Sequence, residues 1–351
     1  MPLKNIVDFG DQEKLLNIFS NHHNKILNCR YFNSLSIIHT DKLLKKGLEE
    51  NGKIIIQKEM EWFRYINNLE NNSFIHYLPI IYEYYDSAYL MEYKRECIPL
   101  YQFLNRYKNE IDATESVDEI ENKRIEYNIF KIDILKNVMS KLDLLHNIET
   151  INVSKKKFIN NLKREVFDKV VNRKIKIDNL LNYFGNIKIV NNLTILPFED
   201  ILEKCKNILT IYYETVDEYQ YSIILGDSTF SNILIDPNNL SNITFIDPRG
   251  YFGESLIHGP IEYDYAKILY SLSGYDTFNN GHFNIKSIDN DRLEMEIKSI
   301  DIPDKILNYY FNKVHKAYVV IIWLSLAEYC KNDIWKCLAA YYYGMYLGTK
   351  L

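Results

Sequence analysis

Leu225-Gly226-Asp227-Ser228-Thr229-Phe230-Ser231-Asn232-Ile233-Leu234, then Phe245-Ile246-Asp247-Pro248-Arg249-Gly250, is the stretch on which the reading of this chain turns. Asp227 lies just past one short apolar run, Ser222 to Leu225. Asn232 comes five residues later, directly before a second run, Ile233 to Asp236. A third run, Asn242 to Ile246, leads into Asp247, and Pro237-Asn238-Asn239 turns the chain between the last two. Read as strands, the runs place two carboxylates and one carboxamide at the same end of a small β unit. Hard oxygen donors gathered this way suit Mg²⁺, which binds through a few protein groups plus substrate phosphates. The plain alternative is two turns in a generic α/β unit, with Asp and Asn present for turn chemistry.

The set matches what phosphoryl transfer requires. An acceptor hydroxyl must be oriented and relieved of its proton, a task that fits Asp227 as catalytic base. The charge of the transferred group must be neutralised by metal, which Asn232 and Asp247 are spaced to hold.

Upstream, residues 26–93 read as a small mixed α/β unit. Ile26 to Phe32, Ser34 to His39 and Lys42 to Lys45 read as short strands. Lys53 to Leu69 reads as a helix with Ile54, Ile55, Lys58, Trp62 and Ile66 along one stripe. Leu78 to Tyr84 and Ala88 to Tyr93 read as two more strands joined at Asp86-Ser87. After Pro99 helices dominate: Leu100 to Tyr107, Ile129 to His146, Phe198 to Tyr219, Ile302 to Leu326 and Lys331 to Tyr346. The expectation is an α+β chain with a β-rich N-lobe over 1–95 and a larger, mainly helical C-lobe over 96–351.

The form G-D-x-x-x-x-N-I-L, with I-D-P-R-G fifteen residues past the Asn, resembles the aminoglycoside phosphotransferase and choline kinase group. Within it, the sequence looks most like small-molecule kinases found with capsule and surface-sugar genes. Tyr263-Asp264-Tyr265-Ala266-Lys267 is similar to a segment that follows in that group. The resemblance implies a bilobal protein-kinase-like fold, ATP and Mg²⁺ as cofactors with GTP left open, and a small-molecule hydroxyl as acceptor. A sugar or sugar-like precursor of a surface glycan is the first choice. It also implies Asp227 as base, Asn232 and Asp247 as metal ligands, and Asp264 as an acid bracing the loop. The family's lysine for the nucleotide phosphates falls on Lys45 or Lys46, with Lys45 preferred because it shares a strand face with Leu43. Its helix glutamate falls on Glu59, and its hinge on Met91-Glu92-Tyr93, whose backbone would meet an adenine edge.

Some positions depart from the pattern. Leu225 stands where the family usually has His, and residues 26–45 contain no glycine, leaving Phe32-Asn33-Ser34 as the one turn-like candidate. Pro248 removes a backbone donor after Asp247 and stiffens the loop. Arg249 reads as a structural ion-pair partner or a phosphate contact, the first preferred. These departures keep a pseudokinase scaffold open as the second reading. A protein acceptor is disfavoured, since Asp247 to Tyr263 is short. Glu254, Glu262 and Asp276 are candidate acids for a cationic acceptor. His146 reads as a cap or core group, and Tyr341-Tyr342-Tyr343, Trp323 and Trp335 as core.

Composition sets the remaining bounds. The formal charge of −5 gives no global attraction to nucleic acid or anionic membrane, and Lys155-Lys156-Lys157 reads as a solvated face. Cys29, Cys97, Cys205, Cys330 and Cys337 are odd in number and contain no C-x-x-C pair, which fits a reducing, cytoplasmic setting. Cys330 and Cys337, seven apart, are expected on one helix face. His22-His23 has no partner at metal spacing. Neither a signal-peptide pattern nor an apolar run of about 20 residues is seen.

Overall fold

The computed structural model describes residues 26–27, 33–38, 40–70, 72–112, 117–185, 187–215 and 218–351. β1 (Ile26–Leu27), β2 (Asn33–Ile38), β3 (Lys42–Gly47), β4 (Ile81–Tyr84) and β5 (Ala88–Glu92) form one antiparallel sheet in the order β1-β2-β3-β5-β4. β3 is central, with Lys45 opposite Leu35 on one side and Tyr89 on the other. Asn33 and Ser34 belong to β2 and form no turn. Phe32, Cys29, His22-His23 and the rest of the strand expected to Phe32 lie outside the described residues.

Helix α1 (Glu49–Asn67) starts four residues before the expected position and buries Ile56, Met60, Phe63 and Ile66 beside Glu59 and Trp62. The stripe expected through Ile54, Ile55 and Lys58 is therefore displaced, and Ile54 is exposed. Of three consecutive isoleucines only one fits a face that continues through Met60 and Phe63, at i, i+4 and i+7. The strand expected from Leu78 begins at Ile81. Ser73–Tyr77 is a 3₁₀ turn capped by the Asn72 side chain, and Pro79 has no N–H for a ladder.

The chain then runs through β6 (Ile98–Pro99), α2 (Leu100–Asp112), the long α3 (Val117–His146) and β7 (Thr150–Asn152). α4 (Lys155–Leu162) passes through a π-helical turn, Lys163–Asp168, into α5 (Lys169–Ile175) and α6 (Asp178–Tyr183). Ser154 caps α4, and Lys155, Lys156 and Lys157 are exposed, as their run suggested. β8 (Ile189–Val190), β9 (Leu193–Thr194) and α7 (Phe198–Glu214) lead to β10 (Gln220–Ile223).

The three runs of the deciding stretch do not share one sheet. β10 pairs with β7 and with β15 (His258–Gly259), whereas β11 (Ile233–Asp236) pairs with β12 (Asn239–Phe245) and β6. The left-handed backbone at Gly226, φ 73°, turns the chain out of β10 before a ladder to β11 can form. The hairpin β13 (Tyr251–Phe252) and β14 (Ser255–Leu256) fills the segment before β15.

α8 (Ile261–Leu272) and α9 (Tyr275–Asn279) follow. Next comes a hairpin, β16 (Phe283–Asp289) and β17 (Arg292–Ile297), where only helix was expected. Leu293 and Met295 bury one face of it in alternation, the period of a strand. The expected helix Ile302 to Leu326 is two, α10 (Asp304–Tyr310) and α11 (Lys313–Tyr329). Asn312 breaks it by forming a capping box with His315. α12 (Ile334–Lys350) closes the chain with Asp333 as its cap. Cys330 ends α11 and Cys337 lies in α12, so they share a core and not a helix. Tyr341, Tyr342 and Trp323 are buried as expected, while Trp335 is exposed at the start of α12. No helix among the described residues is long and apolar enough to cross a membrane.

Candidate active site

Two loops meet below the small sheet. Past β10, the backbone N–H groups of Leu225 and Gly226 donate to the two oxygens of Asp264, at 2.8 and 2.6 Å. Asp264 is fully buried on α8, and His146 at the end of α3 is 3.1 Å from its Oδ2. Ser228 Oγ donates to the Asp264 carbonyl, Phe230 N to Ser271 Oγ, and Ser231 N to Asp276 Oδ1. Each donor would otherwise be buried and unpaired, so α8 and α9 set the loop's shape. A 3₁₀ turn, Phe230–Asn232, then aims Asn232 back: its Nδ2 donates to the Asp227 carbonyl at 2.8 Å and to Asp227 Oδ2 at 3.2 Å.

The second loop docks on the first. Ile246 N donates to the Asn232 carbonyl at 3.0 Å, and Arg249 N to the Leu225 carbonyl at 2.6 Å. Asp247 itself has φ 56°, a left-handed conformation that Asp tolerates better than most residues. Its side chain, 33% exposed, meets Lys45 Nζ at 2.8 Å. Lys45 is 1% exposed and also contacts Glu59 Oε2 at 2.7 Å, which accepts from Tyr89 OH at 2.9 Å. It is thus Lys45, and not Lys46, that turns inward from β3. Burial alone would lower the Lys45 ammonium, but Asp247 and then Glu59 outweigh it and raise the pKa. Burial pushes the Glu59 carboxyl up to about 7 against the pull of Lys45.

Two further cations border the loops. Lys267 Nζ on α8 lies 2.9 Å from Asp227 Oδ1, with side chains 12% and 19% exposed. Burial opposes its charge, but Asp227 more than offsets this, so the group stays an ammonium. Arg249 pairs with Glu165 and donates to Tyr263 OH at 2.9 Å, the structural role preferred from sequence. Glu165 also accepts from Lys169 at 2.6 Å. Neither Lys267 nor Glu165 had been given a role from sequence. The i, i+3 spacing of Asp264 and Lys267 was the available signal, since it puts both on one helix face.

The remaining candidates are engaged elsewhere. Glu92 N donates to the Ile80 carbonyl and Tyr93 N to the Asp41 carbonyl, both at 2.8 Å, while Met91 is buried within β5. A base edge would have to displace these bonds or use other backbone groups of the segment. Glu254 pairs with Arg164 on the surface, and Glu262 accepts from Tyr212 and Tyr213. Asp276 Oδ1 accepts from Ser231 N while Oδ2 is buried without a hydrogen-bond partner, and burial pushes the carboxyl up to about 6.

Among the described residues, no three His, Cys, Asp or Glu side chains gather as a metal cluster. The donor set of Asn232 and Asp247 nevertheless fits a cation that keeps phosphate and water ligands. Asn232 donates through Nδ2, leaving its amide oxygen, and Asp247 gives Oδ1 to Lys45, leaving Oδ2.

No family model and no curated protein sequence matches the chain. Solved structures do. A ternary complex of streptomycin, ATP and APH(2")-IIa superposes with a TM-score of 0.52 at 14% identity, covering 99% of this chain and 98% of that one. A gentamicin complex of APH(2")-IIa gives 0.49 at 17% identity, covering 99% and 98%. A choline/ethanolamine kinase family protein from Mesorhizobium loti gives 0.47 at 7% identity, covering 94% and 90%. The first of these shows that the described residues have the kinase-like fold of an aminoglycoside phosphotransferase.

Proposed function

We propose that the protein is an ATP- and Mg²⁺-dependent phosphotransferase that phosphorylates a hydroxyl of a small molecule. The observation that carries this is one continuous set of contacts: Glu59 to Lys45 to Asp247, and Asp247's loop to Asn232, Asp227 and Lys267. The APH(2")-IIa structure of the same fold holds streptomycin together with ATP, which supports a nucleotide donor and a small acceptor. The segment from Asp247 to Tyr263 is taken up by β13, β14 and β15. It leaves little chain to present a peptide, which favours a small acceptor over a protein. The I-D-P-R-G and Y-D-x-A-K forms point to a sugar or sugar-like precursor of a surface glycan.

In this reading Asp227 accepts the acceptor's hydroxyl proton. The acceptor oxygen bonds to the γ-phosphorus, the bond to the β–γ bridging oxygen breaks, and its electron pair leaves with ADP. Bound Mg²⁺ would neutralise phosphate charge, with the amide oxygen of Asn232 and Asp247 as the groups that would hold it. Lys45, held by Glu59, would meet the nucleotide phosphates. Leu225 does not unmake the loop, because Asp264 and His146 brace it through the backbone.

Purified protein with Mg-ATP, screened against sugars, amino alcohols and aminoglycosides, should give one product heavier by a phosphoryl group. Asp227→Asn should cut that turnover by about 10²–10⁴-fold, the usual worth of a positioned base, while melting stays cooperative. Full activity in that variant would remove Asp227 from the chemistry. The second reading, a nucleotide-binding or scaffold pseudokinase, is favoured by the occupied N–H groups of Glu92 and Tyr93. It gains if millimolar Mg-ATP fails to raise the melting temperature.

A further inference from the structure

We infer that Lys267 is the residue that positions Asp227 for proton abstraction, an inference that rests on the phosphotransferase reading. Asn232 and Lys267 both hold Asp227. Asn232 reaches its carbonyl and, more distantly at 3.2 Å, Oδ2. Lys267 meets the carboxylate more closely, on Oδ1 at 2.9 Å. A carboxylate turns easily about its last torsion, whose energy profile is broad and two-fold. Asn232, which would also serve the metal, is a weak restraint on that turn. An ammonium on Oδ1 restrains that turn and aims Oδ2, with its longer 3.2 Å contact to Asn232, towards an acceptor.

Lys267 is built to do this and little else. It lies one turn past Asp264, so the same face of α8 holds the loop's backbone and its side chain. The rings of Tyr263 and Tyr270 stand 5.7 and 5.6 Å from its ammonium, before and after it on the helix. Arg249 is near enough to repel it and is itself engaged by Glu165 and Tyr263 OH. Among the described residues, Asp227 is the carboxylate paired with it. An ammonium has three donors and Asp227 takes one, so two remain for oxygens of the transferred phosphoryl group.

The test uses the full chain, Mg-ATP and water as acceptor, so no acceptor need be known. Lys267→Ala should lower kcat for ATP hydrolysis about 10²-fold, the loss expected from a misplacement of about 1 Å, with the KM for Mg-ATP nearly unchanged. Added ethylammonium should restore several-fold of the lost kcat, and Lys267→Arg should retain more activity than Lys267→Met. Recovery by a small amine is a signature that a merely structural lysine does not give. Unchanged kcat in Lys267→Ala would overturn the inference while leaving the phosphotransferase reading intact. So would a loss that ethylammonium cannot restore and that tracks a lower melting temperature in both Lys267→Ala and Lys267→Met. A wild-type chain that neither hydrolyses Mg-ATP nor is stabilised by it would overturn both.

Discussion

Lys45 is almost wholly withdrawn from water, and an ammonium there is costly unless carboxylates meet it. Glu59 and Asp247 do so, but the two acids are then held together by one cation. Lys45→Met should therefore cost about 3 kcal/mol, because it leaves a buried carboxylate uncompensated. Urea unfolding of the single variant and of Lys45→Met/Glu59→Leu separates the effects. The double variant should regain most of the stability, and neither should be stabilised by Mg-ATP. If the double variant is no more stable than the single, the buried pair is not the source of the loss. Lys45 was legible because strand alternation put it on the face of Leu43, and that is the face turned to Glu59 and Asp247. Asp227, Asn232 and Asp247 were legible because their spacing is set within short loops. The reach of Lys267 to Asp227 was not, since nothing local in sequence joins residues forty positions apart.

Among the elements, the π-helical turn at Lys163–Asp168 has the largest consequence for the site. Lys163 and Arg164 are exposed, while Glu165 and Val166 are buried. Glu165 continues the stripe that α4 buries through Phe158, Asn161 and Leu162, and there it meets Arg249 and Lys169. Burial would raise its carboxyl, but Arg249 and then Lys169 overcome that and hold it at about 2. Lys169 moves the other way, down to about 7, because burial and Arg249 both oppose its charge. Glu165 faces two cations, whereas Lys169 faces one carboxylate and a second cation.

A carboxyl whose folded pKa lies below its unfolded value of about 4.5 contributes stability above that pH and loses it as pH falls towards 2. Glu165→Gln should thus be less stable than wild type at pH 7, by on the order of 2 kcal/mol. The gap should narrow from pH 4.5 downward. Denaturant titrations at pH 7, 5 and 3 check the slope, and a gap that persists undiminished at pH 3 would point to lost packing instead. The hairpin of β16 and β17 and the break at Asn312 were not legible in the sequence. Each depends on a short alternation or a single cap inside a region whose composition favours helix.

At the scale of the molecule, the boundary expected at residue 95 is crossed by the packing. One apolar core runs from Leu43, Trp62 and Phe74 on one side to Leu142, Ile223, Phe245 and Phe311 on the other. Trp62 Nε1 donates to the Ile224 carbonyl at 2.8 Å, tying α1 to the strand that leads into Asp227. Gly250, at φ 72°, lets the Asp247 loop lie against α1, where an added Cβ would stand 2.8 Å from the Lys58 carbonyl. Residues 1–95 alone would leave much of that core open to water, so the isolated segment is expected to lack cooperative unfolding. The full chain should lose Trp fluorescence and far-UV ellipticity at the same urea concentration, as one cooperative unit does. Trp62→Phe keeps most of the apolar surface and orphans the Ile224 carbonyl, which costs about 1–3 kcal/mol. It should move that shared midpoint down without splitting it. Two separated transitions in either protein would mean that the lobes fold independently, and that the contacts of α1 with the catalytic loops form only after each lobe is complete.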